Sequence, residues 1–248
     1  RNLKIVEFLI EKGADINKAD NPFGQTPIHM ASEKGRLDIV KFLIEKGVDM
    51  NQADNYGKTP LHIASEKGNL NIVTFLIKEK GAYIDKADKY GKTPLYAACG
   101  SGNFEMVNFL IENGADINQV DEYGKTPFHA ACWSDRSNFK MVNFLIGNGA
   151  DINKADKFGQ TPLHMACKKG NFIIVNFLFF QGDRKDRKKN NMNIGTFLKV
   201  ASESGHLKIV EFFIEQGADI NQADNFGQTP LHAACWSGNF EMVKFLIE

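Results

Sequence analysis

Six histidines and four cysteines are the side chains of this chain best suited to metal ligation, nucleophilic attack or proton transfer. Their spacing decides whether they do any of it. His29, His62, His129, His164 and His232 each follow Thr-Pro and one apolar residue. Cys99, Cys132, Cys167 and Cys235 each follow an alanine, at a step where Ser32, Ser65 and Ser202 stand elsewhere in the chain. No C-x-x-C or H-x-x-x-H pair occurs, and no nucleophile sits at a spacing that pairs it with a general base. Tyr96 and Lys199 take the histidine's place twice, which a catalytic role would not tolerate. Stacked helices lie roughly 8–10 Å apart, whereas a disulfide needs Cα atoms within about 7 Å. The cysteines therefore read as small core residues, reduced as in a cytoplasmic protein, with the nucleus as the alternative compartment. G-x-S-x-G, H-E-x-x-H, Walker and G-x-G-x-x-G elements are absent. The expectation is no catalytic residue, no metal site and no cofactor.

What places these residues is a repeat. Gly-(Gln/Lys)-Thr-Pro recurs at Gly24, Gly57, Gly91, Gly124, Gly159 and Gly227, at intervals of 33, 34, 33, 35 and 68 residues, the last being two periods. Seven apolar blocks such as DIVKFLIEKG and EMVNFLIENG keep the same phase, and EMVKFLIE ends the chain. Thr followed by Pro starts a helix, because the hydroxyl caps free N–H groups and proline suits the first turn. A short helix with small residues follows, broken at Gly-Asn (Gly68-Asn69, Gly102-Asn103, Gly238-Asn239), where Asn caps a second helix. That helix carries Ile, Val, Phe and Leu at helical spacing and stops at a glycine. Segments such as GADINKADKFGQ are turn-forming fingers into the next unit. One unit has too little core to fold alone, so neighbours must stack.

The pattern D-x-x-G-x-T-P-L-H-x-A, with its phased second helix and G-A-D-I-N, resembles the ankyrin repeat over essentially the whole chain. The resemblance implies an all-α fold: a solenoid of stacked helix-turn-helix units with β-hairpin fingers. It divides residues 1–248 into a partial repeat at 1–19 and repeats at 20–53, 54–87, 88–120, 121–155 and 156–188. A repeat degenerate at its start (189–223) and a partial one (224–248) follow. It also implies that the histidine bonds its own turn and the neighbouring repeat. His206, in Gly-His-Leu, reads as an ordinary residue at the start of a second helix.

Recognition on a repeating scaffold sits where the repetition stops. After the Ser/Cys step come Glu33-Lys34, Glu66-Lys67, Gly100-Ser101, Trp133-Ser134, Lys168-Lys169, Glu203-Ser204 and Trp236-Ser237. Charges, glycine and tryptophan cannot share one core environment, so this two-residue step faces solvent. By resemblance it lines the concave groove used for partners. The chain's two tryptophans either lie flat on neighbouring hairpin residues or contact a partner, and the second reading is preferred because tryptophan is enriched at binding hot spots. They cannot form one cage, since three repeat steps, on the order of 25–30 Å, part them. Asp135 and Arg136 are an insertion beside Trp133. Phe23, Tyr56, Tyr90, Tyr123, Phe158 and Phe226 precede the finger glycines, where they either stack on one another, the favoured reading, or grip a peptide. Lys58, Lys92 and Lys125 follow three successive glycines as a local basic stripe. Trp133, Ser134, Trp236, Ser237, Tyr56, Tyr90, Tyr123, Phe158, Phe226, Lys58, Lys92 and Lys125 form the candidate binding surface.

One repeat breaks the pattern. Thr196-Phe197-Leu198-Lys199 replaces T-P-L-H, Phe180 stands at a normally polar place, and Asp183–Asn191 holds five basic and two acidic residues. A mobile loop left by a decayed repeat is the expected reading, cut first by proteases between Arg184 and Lys189. A basic docking loop is the alternative.

Lys+Arg and Asp+Glu are each 30, so zero net charge excludes a polyanion binder driven by overall charge. The longest apolar stretch, Phe172–Phe180, is broken by Asn176 and too short to span a bilayer. The chain begins without methionine and reads as a piece of something longer. The expected function is a non-catalytic, monomeric interaction module for a protein or peptide partner, without specific nucleic-acid binding or membrane insertion. The alternative is the cytosolic portion of a larger enzyme, channel or secreted effector whose activity lies outside these residues.

Overall fold

A computed structural model describes residues 2–135, 139–186, 194–224 and 226–248. It comprises two compact units, Arg1–Pro127 and Phe128–Glu248. In the first, helices α1 (Asn2–Glu11), α3 (Leu37–Glu45), α5 (Leu70–Thr74) and α7 (Phe104–Glu112) are the second helices of their repeats. The first helices are α2 (Pro27–Glu33), α4 (Pro60–Lys67) and α6 (Pro94–Ser101). First helices pack on first helices and second on second, closing a core of Ile28, Leu43, Leu61, Ile72, Leu76, Leu95 and Leu110, each at most 1 % exposed. In the second unit, α8 (Pro127–Trp133), α10 (Pro162–Lys169), α12 (Ile194–Glu203) and α14 (Pro230–Ser237) alternate with α9 (Phe139–Gly147), α11 (Phe172–Asp186), α13 (Leu207–Glu215) and α15 (Phe240–Ile247). Phe128, Met141, Leu145, Leu198 and Phe213 fill its core.

The chain absorbs irregularities locally. The 34-residue interval reflects one extra residue in NIVTFLIKEKG, and α5 runs on into a π-helical turn, Phe75–Glu79, that takes it up without shifting the apolar face. First helices such as α4 end at a left-handed glycine, Gly68, with φ 77°. A Cβ there would also crowd the Asn103 side chain of the next repeat, but it is the left-handed φ that favours glycine.

The expected β-hairpin fingers are turns, and no strand occurs among the described residues. Asp54 N–H donates to Lys58 O at 2.9 Å, while Asp54 Oδ1 accepts the N–H groups of Tyr56 and Lys58, each at 2.9 Å. Asp88 and Asp121 repeat this. With those amides bound to a side chain, a ladder has nothing to extend on. Successive fingers are joined by single backbone bonds, Asn55 N to Phe23 O, Lys89 N to Tyr56 O and Glu122 N to Tyr90 O.

In the irregular repeat, α11 continues through Gly182 to Asp186 rather than stopping at the glycine. Residues 187–193 lie outside the described residues, and with them most of the expected basic loop and its cleavage site. Without a proline, α12 begins at Ile194, two residues before Thr196. Phe180, half exposed, packs edge-on against Phe179 at 5.4 Å.

Candidate partner-binding surface

The histidines are occupied by the fold. His62 Nδ1 accepts the Thr59 N–H at 3.1 Å and faces Thr59 Oγ1 at 2.9 Å, while His62 Nε2 meets Lys92 O of the next repeat at 3.1 Å. Because Nδ1 accepts an amide proton, Nε2 carries the ring hydrogen and donates it to the carbonyl. Threonine and histidine thus form a reciprocal cap with histidine in the usual glutamate position. His29 repeats the arrangement toward Lys58 O, and His129 Nε2 reaches Gln160 O. Burial pushes His29 and His62 below the ordinary imidazole value and brings His164 to about 4. Among the described residues no group of three or more His, Cys, Asp or Glu converges as a metal site would.

Cys99, Cys132 and Cys167 are buried, and burial pushes the Cys99 and Cys167 thiols up, away from thiolate chemistry. Cys235 departs from the expected core position. It is exposed: α14 packs on α12, and Cys235 lines an open groove with Lys199, Leu231, His232 and Trp236.

The two-residue step follows directly at the end of each first helix. Trp133 is 49 % exposed and Trp236 88 %. Lys169 Nζ lies 5.5 Å over the Trp133 ring and 2.8 Å from Asp135, so the inserted aspartate holds the lysine across the indole. Trp236 has only its groove. Ser134 does not face solvent: it is 5 % exposed. Ser237 is exposed and donates to Ala234 O at 3.0 Å.

The finger aromatics are all substantially exposed, from Tyr56 at 41 % to Phe226 at 89 %. Phe23 and Tyr56 lie 6.4 Å apart, tilted, so ring contact accompanies the backbone bond between these two fingers. The basic stripe is not three equivalent cations. Lys58 donates to Glu66 Oε2 at 2.7 Å, whereas Lys92 lies over the rings of Tyr90 and Tyr96.

The family model for ankyrin repeats, in sets of three copies, matches residues 1–88, 80–156, 136–224 and 163–248. The chain belongs to the ankyrin-repeat family. Ankyrin repeats are generally protein–protein interaction modules, and the family is typically non-catalytic. No individual curated protein matches the chain. No described helix is long and apolar enough to cross a membrane.

Two ankyrin-repeat positions hold more than their sequence shows. His206 is no ordinary helix-start residue: its Nε2 donates to Lys168 O at 3.0 Å, tying α13 to the end of α10. Asn69 does the same with Ser32 O at 2.7 Å. The signal was the shared register, since Asn and His occupy one position after Gly and both offer a side-chain N–H. Lys199, in the histidine's place, pairs with Asp224 and donates to Gln228 Oε1 at 2.9 Å. Its ammonium holds the Asp224 carboxyl down at about 2. His164 Nε2 meets Thr196 Oγ1 at 3.2 Å on the other side, so the irregular ankyrin repeat keeps a polar link to each neighbour.

Proposed function

We propose that this ankyrin-repeat chain is a non-catalytic interaction module that takes a protein or peptide partner across its fingers and the ends of its first helices. The reading is supported chiefly by one observation: the two-residue step after the Ser/Cys position carries the chain's tryptophans at 49 % and 88 % exposure. Glu33, Glu66 and Lys168 fill the same position elsewhere, so its residue type is not dictated by packing. Large amphipathic rings beside lysines, on a rigid helical scaffold, suit a partner's apolar residue flanked by polar contacts. Six complete repeats in one monomeric array, working in the cytoplasm or nucleus, accord with this role.

Affinity capture from native lysate tests it, comparing the chain with a Trp133→Ala, Trp236→Ala double variant and with a Lys41→Ala, Glu105→Ala control on the second helices. The expected result is a captured protein lost by the tryptophan variant alone. Capture unchanged by the tryptophan variant but lost by the control would move the binding face to the second helices.

A further inference from the structure

On the groove face, in two repeats the residue after the finger glycine meets the first residue of the exposed step eight positions later. Lys58 Nζ donates to Glu66 Oε2 at 2.7 Å, and Lys168 Nζ donates to Gln160 Oε1 at 3.3 Å. The preceding step is also paired, with Glu33 3.6 Å from both Lys34 and Lys67. In repeat 88–120 the equivalent couple is Lys92 and Gly100. Glycine offers nothing to the ammonium, and among the described residues no carboxylate lies within ion-pair distance of Lys92. Ser101, next along, spends its hydroxyl on Ala98 O at 3.0 Å.

Lys92 is nonetheless held in place. Its Nζ sits 5.9 Å from the centre of the Tyr90 ring and 5.4 Å from that of Tyr96, the residue standing where other repeats have histidine. Two aromatic faces orient the cation without neutralising it. Gly100 is exposed and brings no carboxylate to the place that Glu66 holds in the previous repeat. Among the described residues no arginine stands beside this ammonium, and a single ammonium suits one carboxylate better than a phosphate dianion, which takes several donors.

We propose that Lys92 anchors an aspartate or glutamate side chain of a partner polypeptide, with Tyr90 and Tyr96 as walls and the gap over Gly100 as the opening. This rests on the groove being a binding face. The acidic residue replaces, from outside, the internal carboxylate that Glu66 supplies to Lys58.

Random linear peptides displayed on phage and selected on the full chain supply the probe. Binders are resynthesised with each Asp changed to Asn and each Glu to Gln, and titrated by fluorescence anisotropy. One acidic residue is expected to be essential, its amide analogue binding about ten-fold or more weakly. Lys92→Gln should lose as much with the acidic peptide and nothing further with the amide analogue. Gly100→Glu, which puts the internal carboxylate back at a helical position glutamate favours, should also weaken acidic binders, while Lys41→Gln on a second helix should not. Peptides lost on Tyr90→Ala but indifferent to Lys92→Gln and to amide substitution would overturn the anchor and leave the groove reading intact. Binders unaffected by any groove substitution, or an empty selection, would count against both.

Discussion

The step occupied by Ser32, Ser65, Cys99, Cys132 and Cys167 shows how one atom changes the energetics of a buried site. Ser32 and Ser65 bury an Oγ without a hydrogen-bond partner, whereas Ser202 Oγ donates to Leu198 O at 2.8 Å. An unsatisfied buried hydroxyl costs about 1–3 kcal/mol, so Ser65→Ala should be neutral or stabilising by up to about 1 kcal/mol, read as a higher urea midpoint at constant slope. Overpacking the same step behaves oppositely. Cys167→Leu should destabilise by about 1–3 kcal/mol, while Cys235→Leu, at an exposed side chain, should stay within about 0.5 kcal/mol. Equal costs at the two cysteines in denaturant titration would show that exposure does not govern the step. The indoles divide in the same way. Trp236→Glu should leave the melting temperature nearly unchanged, and Trp133→Glu should lower it modestly, since Lys169 then loses its ring. A large loss at Trp236 would mean that its side chain belongs to the scaffold.

Between elements, the Thr–His cap couples helix start, finger and next repeat through a ring that must stay neutral. A proton on Nδ1 would face the amide N–H it now accepts. Burial holds His164 at about 4, against 6.5 for a free imidazole. On acidification the unfolded chain takes up the proton first, so this stability is complete above pH 6.5 and is lost as pH falls from there through 4. Asp224, held at about 2 by Lys199 against an ordinary 3.8, adds stability that is present above pH 3.8 and disappears as pH falls through 2. Thermal unfolding from pH 7 to 2 should therefore show His164→Gln flattening the upper limb and Lys199→Met the lower one. Swapped or absent effects would refute the assignment. Helix positions, the capping threonines and the glycine stops were legible from phase alone, because each repeat restates them. The Lys199–Asp224 pair was not, because it depends on two repeats lying side by side. Finger geometry was legible as turns, but the lack of pairing was not, since it follows from where Asp54 and its equivalents direct an oxygen. The candidate surface was legible only in part: the solvent-facing step followed from its mixed residues, yet Ser134 lay hidden beside an insertion.

For the whole molecule, repetition made the family readable and left the ligand unreadable, because the residues that recur are those that hold neighbours together. Stability should follow the same nearest-neighbour logic. Leu61 and Leu198, at most 1 % exposed, lie in the units Arg1–Pro127 and Phe128–Glu248 respectively. Truncating either to alanine removes buried methyl groups and should cost about 2–5 kcal/mol where it is made. In a protein that opens only as a whole, that loss would appear at every slowly exchanging amide. In a stack of repeats, sub-global openings expose a few neighbours at a time, so the loss should stay local. Native-state hydrogen exchange by mass spectrometry distinguishes the two. Leu61→Ala should lower protection in α2, α4 and α6 and leave α13 at its wild-type rate, and Leu198→Ala should lower it in α10, α12 and α14 and leave α3 unchanged. Uniform loss of protection in both variants would show one cooperative unit in place of a chain of coupled repeats.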